Sequence, residues 1–72
     1  MQYLNAKTNT VFNARTTKDF DGFVAIVSRY ERSIPSESLI HRSKHSTRSK
    51  AYITAKKEAL YAFLKHCTVF GS

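Results

Sequence analysis

The first fifteen residues alternate weakly between apolar and polar side chains, and this pattern predicts two short strands. The strands are expected from Gln2 to Lys7 and from Val11 to Arg15, joined by the polar tripeptide Thr8-Asn9-Thr10. Because an isolated two-stranded hairpin is only marginally stable in water, a helix is expected to cover it. The N-terminal segment is therefore predicted to be a β-hairpin that packs on helices.

The following segment places apolar residues at helical spacing and predicts a first helix that starts near Thr17 and ends before Pro35. Thr16 and Asp19 have the spacing of an N-terminal capping box, and Pro35 disfavours the helical conformation at the residue before it. Aromatic side chains in such a stripe usually belong to the core, and stacking on nucleic-acid bases is the alternative. The stripe expected to face the core consists of Phe20, Phe23, Val24, Val27, Tyr30 and Ile34.

Beyond the proline, residues Pro35 to Ile40 are predicted to form a single helical turn, and Ser43 to Ser49 a mobile polar loop. A second long helix is expected from Ser49 to Cys67. Lys56 lies within its apolar arc, so the lysine stem is expected to cover apolar surface, with contact to a partner as the alternative. The arc contains Tyr52, Ile53, Ala55, Ala59, Leu60, Ala62, Phe63, Leu64 and Cys67.

These elements predict an α+β fold in which a short N-terminal β-hairpin packs on two main α-helices, with a mostly helical fold as the alternative. A chain of 72 residues is expected to form one small basic domain over residues 1–72. Its core is small, so a homodimer is also predicted, formed where alanines let another backbone approach the second helix. The expected dimer contacts are Tyr52, Ala55, Ala59 and Phe63.

Charge is strongly segregated along the chain. Twelve Lys and Arg against five Asp and Glu give a net charge of +7, and six of these seven charges fall between residues 38 and 57. Positive charge of this density attracts polyanions, so nucleic acid is the first predicted partner and an acidic protein surface the second. The basic residues of this segment are Arg42, Lys44, Arg48, Lys50, Lys56 and Lys57.

A candidate nucleic-acid surface follows from this charge and from the helical spacing. One exposed stripe of the second helix is basic and hydrogen-bonding throughout, and the basic loop before it adds three more cations. None of the stripe residues is Arg, Asn or Gln, so contact with RNA or DNA phosphates and little sequence specificity are expected. The predicted binding residues are Arg42, Lys44, Arg48, Lys50, Thr54, Lys57, Tyr61 and Lys65.

Two other interpretations of the same surface stay open. The stripe is also typical of a solvated helix face in a basic protein. Alternatively, the chain is a small regulator or inhibitor of the mobile-element type, which docks on a larger protein such as a nucleic-acid enzyme through its basic face. Steep salt dependence would favour direct phosphate binding over docking on a protein.

The residue types exclude several classes of enzyme. Only Gly22 and Gly71 are present, so neither a Walker loop nor a dinucleotide-binding fingerprint can form. His41, His45, His66 and Cys67 match no recognised zinc spacing, and neither a metal site nor a cofactor is expected. The chain is predicted not to be an enzyme. The one catalytic alternative is a metal-free ribonuclease that moves protons through His41, His45 or Tyr61.

Cysteine usage and hydropathy predict the compartment. Cys67 is the only cysteine, so no internal disulfide can form, as expected for a reducing environment. The start of the chain lacks the basic region and apolar run of a secretory signal, and the longest apolar stretch, Ala59 to Leu64, is too short to span a membrane. A cytoplasmic protein without membrane contact is therefore expected.

Overall fold

The computed structural model describes all 72 residues and contains four strands followed by one long helix. The strands form one antiparallel sheet in the order β1-β2-β3-β4, so each strand pairs with the next along the chain. The fold is α+β, but it has one helix instead of the predicted two. The elements are β1 (Gln2–Asn5), β2 (Thr10–Asp19), β3 (Gly22–Glu31), β4 (Glu37–His45) and α1 (Arg48–Phe70).

The prediction of a helix from Thr17 to Ile34 is wrong, because this segment contains the end of β2, a tight turn and all of β3. The apolar run from Phe23 to Val27 satisfies helical spacing, but it also supplies apolar side chains to both faces of a strand. Pairing with β2 favours the strand over the helix. Ten consecutive residue pairs join β2 and β3, from Thr10 with Glu31 to Asp19 with Gly22. Phe20, expected in the core, is fully exposed at the turn.

The connection after the proline also differs from the prediction. Residues Glu37–His45 form β4, which pairs with β3 and replaces most of the predicted helical turn and the first three residues of the predicted mobile loop. Only Ser46 and Thr47 join β4 to α1. β4 is an edge strand, where charged and small polar side chains are common, so its polar composition imitates a loop. Gly22 is required beside it, because a Cβ there would lie 2.7 Å from the backbone oxygen of His45.

The second predicted helix is confirmed and extends slightly beyond the expected bounds, over Arg48–Phe70. Its N-terminus is capped by Thr47, whose Oγ1 accepts a hydrogen bond from the Lys50 amide at 3.2 Å. At the other end Gly71 has a positive φ of 82° and its N–H donates to the Cys67 carbonyl at 2.8 Å. These caps satisfy backbone groups that a helix end leaves unpaired.

The core lies between α1 and one face of the sheet and consists mostly of small side chains. Small residues on both sides let the helix backbone approach the sheet closely. Since Ala55 and Ala59 are fully buried against the chain's own sheet, the dimer contact predicted through them is wrong. The core residues are Ala14, Ala25 and Val27 from the sheet and Ala51, Ala55 and Ala59 from the helix.

The large aliphatic side chains of α1 lie on its opposite side. Ile53, Leu60 and Leu64 were expected in the core, but they are 63%, 40% and 54% exposed, respectively. An ordinary surface helix buries its large apolar residues and exposes its polar ones. The helix α1 instead buries alanines and presents a ridge of large apolar residues to solvent.

Contacts between β1 and the C-terminal half of α1 close the fold. The side-chain amide of Asn5 is buried and donates to the His66 Nδ1 at 2.9 Å and to the Gly71 carbonyl at 2.8 Å. Its oxygen accepts from the Lys7 N–H at 3.1 Å. Tyr3 stacks on Phe63 with ring centroids 5.7 Å apart. This set of contacts, which we call the β1–α1 clasp, joins segments that are distant in the chain.

The alanine contact predicts an unusual response to substitution. Replacing Ala55 by Leu should lower the free energy of unfolding by about 1–3 kcal/mol, because no space exists for the added carbons. Replacing Leu64 by Ala should change the stability by less than about 0.5 kcal/mol, because Leu64 lies outside the core. Chemical denaturation followed by circular dichroism measures both values. A larger loss for Leu64→Ala than for Ala55→Leu would contradict this packing.

Candidate nucleic-acid interface

The structure divides the predicted binding residues between opposite faces of the molecule. Arg42 and Lys44 pair with Ile26 and Val24 of β3, whereas the intervening Ala25 and the next residue Val27 face α1. Because side chains alternate along a strand, Arg42 and Lys44 point away from the helix. The remaining helical members lie on the side of α1 turned away from the sheet or along its margin. These are Lys50, Thr54, Lys57, Tyr61 and Lys65.

Arg48 belongs to neither group. It begins α1, and its guanidinium carbon lies 5.3 Å from the centroid of the Phe23 ring. This distance is typical of a cation–π contact, which holds the side chain beside the junction of helix and sheet. The predicted continuous surface of loop and helix is therefore not formed.

Lys44 is engaged by two carboxylates at the turn between β2 and β3. Its ammonium group forms ion pairs with Asp21 and, at 3.4 Å, with Asp19. The hydrogen bond to Asp21 raises the pKa of Lys44. The Phe20 backbone N–H, followed by Lys44, lowers the pKa of Asp19. The charge of Lys44 is thus balanced locally, which weakens its predicted role as a phosphate contact.

The face of the sheet that points away from α1, which we call the open sheet face, carries two arginines in one row. Arg15 on β2 and Arg42 on β4 both pair with Ile26 on the strand between them. Both side chains are exposed, and neither forms an ion pair. Neighbouring strands are about 4.8 Å apart, so the two arginine backbones are separated by about 10 Å.

Polar and apolar side chains flank this arginine row. Gln2, Asn13 and Ser28 form the next row on one side together with the exposed Leu39, and Thr17 lies with Val24 and Lys44 in the row on the other side. Gln and Asn carry both donors and acceptors, and together with Arg they are the residue types that read base edges. The open sheet face therefore provides groups that the helix stripe lacks.

The carboxylates of the open sheet face lie at its two ends. Asp19 is paired with Lys44, and Glu37 accepts a hydrogen bond from the Ser28 hydroxyl. The positive charge of this face is consequently concentrated in its middle, at Arg15 and Arg42. The sequence prediction included Arg42 but missed Arg15, because only the register of β2 on β3 places the two together.

A second polar cluster lies on the other face of β4. The Ser43 Oγ is 2.9 Å from the His41 Nε2 and 2.7 Å from the His45 Nε2. The Ser43 hydroxyl can donate to at most one of the two rings, and a ring that does not accept from it donates its own Nε2–H to the Ser43 oxygen. This arrangement can relay a proton. It lies across the sheet from Arg15 and Arg42.

No three histidine, cysteine or carboxylate side chains gather closely enough to hold a metal ion. His41 and His45 converge at the end of β4 nearest the N-terminus of α1, whereas His66 and Cys67 lie near the opposite end of that helix. The tetrahedral set considered from sequence is therefore not brought together.

His66 is buried in the β1–α1 clasp, where its ring lies 5.3 Å from the Phe12 ring and 4.6 Å from the Phe70 ring, measured between centroids. Burial, with a smaller contribution from Arg29, lowers the pKa of His66. The Asn5 Nδ2 group can only donate, so the Nδ1 of His66 accepts and the proton of the neutral ring resides on Nε2. His66 is thus a structural, neutral histidine.

No helix in the structure combines the length and the apolar character that crossing a membrane requires. Comparisons with protein-family models, with curated proteins and with solved structures find no match to this chain. Its function must therefore be argued from the arrangement of its own residues.

The buried neutral His66 predicts a loss of stability on mild acidification. Its folded pKa lies below its unfolded value of about 6.5, so below that pH the unfolded chain takes up the proton first. The stabilising contribution is complete above about pH 6.5 and is lost as the pH falls. Urea unfolding at about pH 7.5 and about pH 5.5 should show this loss, and the His66→Gln variant should show a smaller one. Equal pH dependence in both proteins would contradict the assignment.

Proposed function

We propose that this chain is a nucleic-acid-binding protein that contacts duplex DNA through the open sheet face. The observation that carries the proposal is the row formed by Arg15, Ile26 and Arg42, in which two exposed guanidinium groups have no ionic partner. A guanidinium group can donate two parallel hydrogen bonds to a phosphate or to the O6 and N7 atoms of guanine. The net charge of +7 attracts the polyanion from a distance.

The dimensions of the sheet favour duplex DNA over duplex RNA. The backbones of Arg15 and Arg42 are about 10 Å apart, which is comparable to the major-groove width of B-form DNA, about 12 Å, so the two side chains can reach into one groove from the sheet surface. The major groove of A-form RNA is too deep and narrow for side chains to read. Gln2, Asn13 and Thr17 then lie beside the arginines, where they can contact base edges or sugar–phosphate groups.

The helix stripe predicted from sequence is assigned a different role. It lies on the far side of the molecule from Arg15 and Arg42, so one straight duplex cannot contact both surfaces. Its lysines also alternate with Ile53, Leu60 and Leu64, and phosphate contacts would leave these aliphatic side chains uncovered. Their exposure favours the second candidate function, docking on a protein, for this part of the surface.

Removing two positive charges from one face or from the other tests the proposal. The double variant Arg15→Gln and Arg42→Gln should bind a labelled DNA duplex at least about tenfold more weakly, since each lost arginine contact is worth about 1–3 kcal/mol. The matched control is Lys50→Gln with Lys57→Gln, which removes the same charge from α1 and should change the affinity little. Fluorescence anisotropy in about 50 and about 200 mM salt measures both affinity and salt dependence.

Two results would contradict the assignment to the open sheet face. Equal losses in the two double variants would indicate attraction by net charge alone. A loss confined to the lysine variant would return the site to the helix stripe. Circular dichroism of each variant checks that the fold is retained, because none of the four residues lies in the core.

Binding is expected without hydrolysis of the nucleic acid. His41, Ser43 and His45 are the only cluster suited to moving protons, and they lie on the opposite side of the sheet from the arginine row. Labelled RNA, single-stranded DNA and duplex DNA should remain intact during incubation with the purified protein, with or without magnesium. Cleavage that disappears in His41→Ala or His45→Ala would overturn this expectation and support the ribonuclease alternative, because a contaminant would not follow a point substitution.

A further inference from the structure

The outer side of α1 carries an apolar surface that nothing in the fold uses. Ile53, Leu60 and Leu64 are separated by seven and four residues and therefore lie along one stripe of the helix. We call these three residues the outer ridge. The buried side of the same helix is occupied by alanines that already contact the sheet. Rotating α1 to bury the ridge would force large side chains into space that holds only methyl groups.

Shallow grooves run along both sides of Leu60. On one side Leu60, Tyr61 and Leu64 form the apolar lining, with Lys57 and Lys65 at its border. On the other side Tyr52 and Ile53 form the lining together with Tyr3 of β1. An apolar ridge between two grooves is the shape into which the side chains of a second amphipathic helix pack.

The border of this surface has one sign of charge. Lys56 and Lys57 line the groove beside Ile53, and Lys57 and Lys65 line the groove beside Leu64. None of these lysines forms an ion pair. Glu58, the only carboxylate of α1, lines neither groove. The surface is therefore apolar along its centre and cationic along its edges.

We propose that the outer ridge and its lysine border form the docking site for an amphipathic partner helix that carries a leucine stripe flanked by Asp and Glu. The leucines would cover the exposed aliphatic carbons, and the carboxylates would meet Lys56, Lys57 and Lys65. This site is separate from the open sheet face and does not depend on the proposed DNA contact.

Charge argues against a second copy of this chain as the occupant. Packing one outer ridge on another would bring the lysine borders of both copies together, and like charges across an interface oppose association. Nucleic acid is also a poor occupant, because phosphates gain nothing from covering Ile53, Leu60 and Leu64. An acidic amphipathic helix satisfies both the apolar centre and the charged border.

Two synthetic peptides of about 18 residues, five helical turns, test the proposal with the full-length chain. Both carry the same leucine stripe, flanked by Glu in one peptide and by Lys in the other. Isothermal titration calorimetry should show at least about tenfold tighter binding of the Glu peptide. Amide resonances along the outer stripe of α1 should shift in the NMR spectrum of the labelled protein.

Matched variants distinguish binding at this surface from nonspecific hydrophobic binding. The Leu60→Ser and Leu64→Ser double variant should lose at least about tenfold in affinity for the Glu peptide, because these side chains form the centre of the contact. The control is Leu39→Ser on β4, which removes an exposed leucine elsewhere and should keep the affinity. Lys57→Glu with Lys65→Glu should reverse the preference toward the Lys peptide.

Several outcomes would overturn the proposal. Equal binding of the two peptides would show that the lysine border does not select acidic partners. Unchanged binding by the Leu60→Ser and Leu64→Ser variant would show that the outer ridge is not the contact. A dimer in sedimentation that dissociates in this variant would identify a second copy as the occupant. Binding to phosphatidylglycerol vesicles without binding to the Glu peptide would identify a membrane surface. The Arg15→Gln and Arg42→Gln variant should retain peptide binding, so failure of the DNA proposal leaves this test intact.

Discussion

The close contact between α1 and the sheet determines how the other side chains are distributed. Ala51, Ala55 and Ala59 lie fully buried against the small residues Ala14 and Ala25. At this separation no leucine or isoleucine fits between helix and sheet, so the large aliphatic residues of α1 must lie elsewhere. Only 13 of the 72 residues are buried, which means that the fold also depends on backbone pairing and on the β1–α1 clasp.

Because α1 covers one face of the sheet, the other face remains exposed to solvent. The helix packs over β2 and β3 from one side, and the register of β2, β3 and β4 then sets the spacing of Arg15 and Arg42 on the other. Both surfaces thus result from the packing of α1 on one face of the sheet, but they are chemically distinct. The open sheet face offers guanidinium, amide and hydroxyl groups, whereas the outer ridge offers aliphatic carbon bordered by lysines. Because the two proposed sites lie on opposite sides of the molecule, occupation of one would leave the other accessible.

The parts of this fold that were predictable from sequence depend on local contacts. The helix α1 was predicted nearly to its ends because its apolar pattern continues over five turns. The β2–β3 hairpin was missed because Phe23, Val24 and Val27 fit the helical period as well as a strand buried on both faces. The Asp21-Gly22 dipeptide does not mark the turn as a type I′ Asp-Gly loop would, because the two loop residues are Phe20 and Asp21 and Gly22 already pairs with Asp19. The pairing of Arg15 with Arg42 across Ile26 depends on register between distant residues, which no local pattern contains.

The Asn5–His66 hydrogen bond joins residues that are 61 positions apart, and this separation affects the order in which the parts of the chain can fold during synthesis. Each strand of the sheet can pair with its predecessor as it leaves the ribosome, since the strand order follows the chain. The amide of Asn5 and the alanine face of the sheet stay exposed to water until almost all of α1 has been made. The sheet is therefore open on both faces until α1 packs on it, and the last step of folding is the docking of a single helix.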